Sequence, residues 1–139
     1  MIEFHYKANF ELEESLRYVD WIEKVVSSEA FVCGEIDYIF CSDEYLLNLN
    51  QEYLNHDTFT DIITFDYTDT NLISGDIFIS VDRIRDNATK FDVAFENELK
   101  RVMAHGVLHL MGYKDKGRNE AKVMRQKEDE KIKLFHVEP

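Results

Sequence analysis

Cysteine, proline and glycine are all scarce in this chain, and no long apolar run interrupts it. Two cysteines among 139 residues, Cys33 and Cys41, cannot make a disulfide framework, and their spacing is not that of a CxxC pair. They read as two reduced thiols in or beside a strand. One proline, Pro139, and five glycines leave no room for a Pro/Gly-rich linker, and no repeat or low-complexity tract occurs. No stretch of about 18 apolar residues is present, so no transmembrane helix is expected. Met1-Ile2-Glu3-Phe4-His5 lacks the basic-then-apolar layout of a signal peptide. The expectation is an intracellular, cytoplasmic, soluble protein. The hydrophobic share of 45% and the aromatic share of 13% argue against disorder. At this length one domain spanning residues 1–139 is expected, able to bury roughly two-thirds of its unfolded surface.

A surplus of basic residues is also lacking. The net charge is −12, which disfavours a nucleic-acid partner when taken as a total. The distribution is uneven. Residues 1–99 hold 6 Lys/Arg against 22 Asp/Glu, whereas residues 100–139 hold 10 against 6. The basic side chains gather at Lys100, Arg101, Lys114, Lys116, Arg118, Lys122, Arg125 and Lys127. Charge counting alone favours a solvated helical face for them.

Apolar periodicity predicts a short strand over 2–6 and a helix over 11–27, with Leu12, Leu16, Val19, Ile22 and Val26 on one face. Alternation predicts a buried strand over 35–41. Ser42 can cap the next helix, with Asp43 and Glu44 in its first turn and Leu46, Leu47, Leu49 and Leu54 along it. A polar loop over 55–60 precedes the β-branched strand Ile62-Ile63-Thr64-Phe65. A further strand, 75–80, is expected to be entered through a turn at Ser74-Gly75. Helices follow over 82–90, 93–111 and 119–134, the last charged on most faces. Gly112 suits the left-handed position that ends the 93–111 helix. About four strands and about five helices, not in strict βαβ alternation, predict an α+β domain with a mixed sheet.

Chemistry concentrates in His105-Gly106-Val107-Leu108-His109-Leu110-Met111-Gly112-Tyr113-Lys114-Asp115. Residues four apart share a helix face, so His105 and His109 can aim two imidazole nitrogens at one point about 2 Å from each. Gly112 lets the chain reverse, and Asp115 can return a carboxylate oxygen to the same point. Two imidazoles and one carboxylate leave a fourth position open, which is a catalytic layout for a single zinc ion. Paired histidines on an apolar helix are also common as partly buried side chains. The glycine stop and the acidic residue six positions on favour ligands. So does Gly106, since mid-helix glycine costs about 1 kcal/mol against alanine and implies close approach of another segment or of substrate.

The motif His-Gly-x-Leu-His-Leu-x-Gly-Tyr resembles the signature of the YbeY family, zinc-dependent endoribonucleases of ribosomal RNA maturation in bacteria. Leu49-Asn50-Gln51-Glu52-Tyr53, Asp57 and Thr60-Asp61-Ile62-Ile63-Thr64-Phe65 resemble that family's "LNxxYRxxDxPTDVLSF" stretch. Gly75-Asp76-Ile77-Phe78-Ile79-Ser80 resembles its "GDIxIS" strand. Glu120, Met124 and Glu128 resemble its "ExxMxxxE" spacing. The similarity spans about residues 35–130. Three departures stand out. Asp115 occupies the place of the usual third histidine ligand, with Lys114 before it. Leu54 stands where an arginine is usual, and Phe59 where a proline is usual.

The resemblance implies single-strand-specific cleavage of ribosomal RNA, including the small-subunit 3′ end, with RNA and the small ribosomal subunit as partners and neither DNA nor membrane expected. Candidate catalytic residues are His56, Asp57 and Lys114, and candidate RNA-binding residues are Lys116, Arg118, Lys122 and Arg125. Side chains of a turn are an equal reading of His56 and Asp57. A metzincin-like zinc peptidase is the alternative suggested by His-x3-His-x2-Gly-x2-Asp, but Gly106 stands where those enzymes carry a glutamate base. A non-catalytic, zinc-stabilised ribosome-assembly factor is the third reading.

Overall fold

Alternation along one strand sets the architecture: Ile36, Tyr38 and Phe40 face one side, Asp37, Ile39 and Cys41 the other. The computed structural model describes residues 1–54 and 60–136. In it that strand, β2 (Val32–Cys41), lies inside a four-stranded sheet. β1 (Ile2–Tyr6) and β4 (Leu72–Ser80) run parallel to it on either side. β3 (Ile62–Asp66) closes the far edge, antiparallel to β4. Five α-helices complete a mixed α+β fold: α1 (Ser15–Ser28), α2 (Asp43–Leu54), α3 (Val81–Phe91), α4 (Phe95–Leu110) and α5 (Arg118–Lys133), followed by a 3₁₀ turn, Leu134–His136. No described helix is long and apolar enough to cross a membrane.

The two inner strands carry most of the core. Ile36, Tyr38, Phe40, Ile73, Ile77 and Ile79 pack with Trp21, Ile22 and Val25 of α1 and Leu99, Met103 and Val107 of α4. Full burial of side chains this size stabilises by about 1.5–3 kcal/mol each. The Tyr38 hydroxyl donates to the Met103 carbonyl at 2.9 Å, so the buried polar tip is satisfied and β2 is tied to α4. α2 covers part of the opposite face through a smaller cluster of Cys41, Leu46 and Ile63. The Ser42 hydroxyl accepts from the Tyr45 amide at 3.2 Å, as expected of a cap. Both cysteines are free and lie on β2.

Element boundaries differ most from the periodicity reading in three places. α1 starts at Ser15 because Glu14 is left-handed (φ 53°), which a right-handed helix cannot propagate through. Leu12 is buried all the same, from the loop. β2 begins three residues early. No turn exists at Ser74-Gly75: Gly75 pairs with Ile36 on one side and Asp66 on the other, inside β4. The reversal comes earlier, at the Asp69–Leu72 bridge with Thr70 left-handed. α5 is charged on most of its faces, as its sequence predicts, and buries one edge of Met124, Glu128 and Lys131.

That buried edge of α5 meets the end of α1. Trp21 Nε1 donates to the Lys131 carbonyl at 2.8 Å. Lys131 Nζ, almost wholly buried, donates to Glu29 Oε2 at 2.7 Å, and Lys127 Nζ donates to the same oxygen at 3.1 Å. The other carboxylate oxygen accepts from the Tyr113 hydroxyl. Burial alone would raise the Glu29 pKa, but Lys131, Tyr113 and Lys127 together hold it down to about 2, against an ordinary 4.5. A folded-state pKa below the unfolded one stabilises at pH above the unfolded value, and the gain fades as pH falls through the folded one. Acid titration of the parent should therefore lose stability progressively between pH 4.5 and 2. Glu29→Gln should lower stability at pH 7 by roughly 2 kcal/mol after allowance for solvent screening, and should flatten that acid limb. Denaturant melts of both proteins across pH 2–7 check this; parallel curves would show that the cluster does not stabilise the fold.

Candidate metal centre

α4 is apolar on the side that meets the sheet and bears imidazoles on the side that does not. Its close seat on the sheet depends on Gly106. A Cβ there would lie 2.8 Å from Ile77 Cγ2 and 3.0 Å from Ile62 Cδ1. Close approach of another segment, the sheet itself, is thus the reason for a mid-helix glycine. α4 ends in a Schellman arrangement: the Gly112 amide donates to the His109 carbonyl at 3.0 Å and the Tyr113 amide to the Leu108 carbonyl at 3.1 Å. Gly112 takes φ +100°, which a side chain would strain. The chain then turns back and carries Asp115 over the last turn of the helix.

Each imidazole is held at its Nδ1. His105 Nδ1 lies 2.6 Å from Glu128 Oε2, and His109 Nδ1 lies 2.9 Å from the Tyr113 carbonyl. A carbonyl only accepts, so His109 carries its proton on Nδ1, and the Glu128 carboxylate sets the same tautomer in His105. Both Nε2 atoms are then lone-pair donors. They face one another at 2.9 Å, with Asp115 Oδ2 at 3.2 Å from the first and 3.6 Å from the second. Three lone pairs converging this closely repel unless a cation lies among them. The donors of a tetrahedral zinc ion, with bonds of about 2.0–2.1 Å, stand about 3.3 Å apart, and the three separations bracket that value. The donor set therefore fits zinc.

The titration of the pair agrees. Burial disfavours the His105 cation, but the Glu128 hydrogen bond and charge, with Asp115 and Asp61, outweigh it and raise its pKa. Burial and the neighbouring His105 lower that of His109.

The triad opens into a cavity of about 560 Å³ between α3, α4, α5 and the start of β3. Asp61 and Glu98 line it; burial raises the pKa of both, Asp61 despite the opposing pull of His105, and Glu98 with help from the Asp61 charge. Arg101 also lines it, with Nη1 on Glu128 Oε1 at 3.0 Å and Nη2 on Asp129 Oδ1 at 2.7 Å. Of the expected RNA-binding residues, Arg125 lines this cavity; Lys116, Arg118 and Lys122 are exposed and do not. Lys114 lines a separate depression with Tyr113, Glu120 and Val123. Leu54 is exposed at the end of α2 and lines neither. His56, Asp57 and Phe59 lie outside the described residues.

Sequence reasoning gave no role to Glu128, Asp61, Glu98 or Arg101. The first two stood within the quoted motifs, where their letters were the available signal. Nothing in periodicity distinguishes Glu98 or Arg101 from other charged residues on a helix.

A family model described as Endoribonuclease YbeY matches residues 3–136. The Endoribonuclease YbeY of Flavobacterium johnsoniae is 60% identical over 138 residues, 99% of each chain. That of Flavobacterium psychrophilum is 58% identical over 137 residues, 99% of this chain and 98% of its own. The solution structure of a Thermotoga maritima protein superposes with a TM-score of 0.68 at 27% identity, over 97% of this chain and 89% of that one.

Carboxylates that orient a ligating histidine typically contribute 10–100-fold to metal affinity. Glu128→Gln removes the charge behind His105 and should weaken zinc binding by at least about tenfold. Competition against a chromophoric chelator measures it; an unchanged affinity would show that Glu128 does not support the site.

Proposed function

The chain belongs to the YbeY endoribonuclease family, and from that premise we propose that it is a zinc-dependent endoribonuclease. It cuts single-stranded RNA in ribosomal RNA processing, including maturation of the small-subunit 3′ end, and works in the cytoplasm. The observation that carries the metal half of this reading is the convergence of two Nδ1-protonated imidazoles and a carboxylate on one point, facing an open cavity.

His105, His109 and Asp115 hold one zinc ion, with Glu128 and the Tyr113 carbonyl fixing the two rings. When bound, zinc supplies a Lewis acid and acidifies water near neutral pH; with aspartate in place of a third imidazole, that acidity is moderated. Asp61, half-buried on the wall near His105 with its pKa raised, can accept the nucleophile's proton and return one to the leaving oxygen. Arg125 is the guanidinium placed to meet phosphate inside the cavity, because Arg101 is already committed to Glu128 and Asp129. Lys116, Arg118 and Lys122 extend the basic surface outside, and His56, Asp57 and Lys114 remain proton or charge carriers in this proposal.

The cavity itself is acidic. Asp61, Glu98, Asp115 and Glu128 line it against Arg101 and Arg125. At a Debye length of about 8 Å these near charges outweigh remote ones, so a phosphodiester enters readily only after a divalent cation has offset the carboxylates.

Two outcomes are expected. His109→Ala and Asp115→Ala should lose the single zinc equivalent by elemental analysis and lose cleavage of a single-stranded RNA, whereas Asp115→His keeps both. Full zinc occupancy in His105→Ala/His109→Ala would sink the assignment, and cleavage of casein but not RNA would turn the reading to a peptidase. Second, chelation should weaken RNA binding as well as cleavage. Arg125→Glu and the Lys116→Glu/Arg118→Glu pair should each weaken it about tenfold and shallow a salt slope of roughly −2 to −3, with zinc content intact. RNA affinity indifferent to both changes would place the RNA on another surface.

A further inference from the structure

The α3 wall of the cavity carries two side chains that the metal chemistry does not use. Asn87 and Phe91 are four residues apart on α3, so they stand on one face of the helix, and both line the cavity that holds the triad. Phe91 is 54% exposed. Among the described residues its ring is approached by no other ring, only by the Lys90 ammonium, 5.8 Å from the centroid. Asn87 is half-buried, and its amide makes no hydrogen bond within the described residues. Asp92, left-handed at φ 55°, closes the helix directly behind Phe91, with its amide on the Ala88 and Thr89 carbonyls. The ring is therefore mounted on a stopped helix end and not on a loose segment.

These features share one complement. A flat apolar face left in water takes a flat, polarisable ring; a half-buried amide without a partner reads a ring edge that both donates and accepts; Lys90 beside the ring and Arg125 on the α5 wall take negative charge. A cavity of about 560 Å³ has room for a nucleotide beside the metal ligands. Resting on the reading of this chain as an endoribonuclease, we propose that Phe91 and Asn87 form a nucleobase subsite. The base next to the scissile phosphate stacks on Phe91 and turns its edge to Asn87, while its backbone runs towards Arg125 and the triad. Only an unpaired base exposes a whole face to an aromatic side chain, so the subsite selects single strands and places the cut relative to a held base.

The test is steady-state cleavage of a short single-stranded RNA by the zinc-loaded protein. Phe91→Ala should raise KM roughly tenfold, the range expected for loss of one base stack, with kcat moved less than about twofold. Phe91→Trp should restore KM. An oligonucleotide with an abasic residue at the held position should bind parent and Phe91→Ala equally, and Asn87→Ala should level the parent's preference among the four bases there. Both positions lie on the cavity wall and outside the hydrophobic core, so folding stays intact, which zinc content and thermal melting verify. An unchanged KM in Phe91→Ala, or an equal loss on the abasic strand, would overturn the subsite while leaving the nuclease reading standing. A parent protein that neither binds nor cuts single-stranded RNA would overturn the nuclease reading itself, and the subsite with it.

Discussion

The pinning of two imidazoles at Nδ1 is the interaction on which the rest of the site depends. Without the Glu128 carboxylate and the Tyr113 carbonyl, either ring could swap tautomer or rotate, and the three donors would not face one point. The two pins come from different places. Glu128 reaches from α5, 23 residues on. The Tyr113 carbonyl belongs to the helix-ending turn and is fixed by the Schellman hydrogen bonds and by Gly112. One histidine is thus oriented by tertiary packing and the other by local backbone geometry.

Both pins trace back to one carboxylate, Glu29, distant in sequence from the His105, His109 and Asp115 triad. Glu29 at the end of α1 accepts from Tyr113, Lys127 and Lys131, binding the motif turn and α5 to one carboxylate. Tyr113 contributes its carbonyl to His109 and its hydroxyl to Glu29; α5 contributes Glu128 to His105 and two lysines to Glu29. The ion cluster therefore sets the spacing between α5 and the motif turn, and with it the relation of the two rings.

A second constraint is the approach of α4 to the sheet. Gly106 brings the helix onto Ile77 and Ile62, and Ile62 follows Asp61 at the start of β3. The same contact that packs the helix places a half-buried carboxylate on the cavity wall. The resulting cavity concentrates negative charge, so the overall −12 and the local acidity act in one direction. Arg125 opposes it at short range, as a cation held by the triad would, where screening is weakest.

The sequence by itself determined the α+β class, the strands and helices in order, and the convergence of His105, His109 and Asp115. These rest on short-range physics: a period of two or of 3.6, a glycine that permits a left-handed turn, and residues six apart joined by that turn. Only the tertiary structure decided that Ser74-Gly75 lies within a strand, because pairing on both sides overrides a local turn preference. It also decided that Glu128 and Lys131 face inward, since a charged helix reveals no buried edge until a partner such as His105 or Glu29 meets it across the fold. Asp61, Glu98 and the Asn87–Phe91 pair joined the cavity for the same reason: they come from three parts of the chain, and their shared wall exists only once α3, α4 and β3 have packed together.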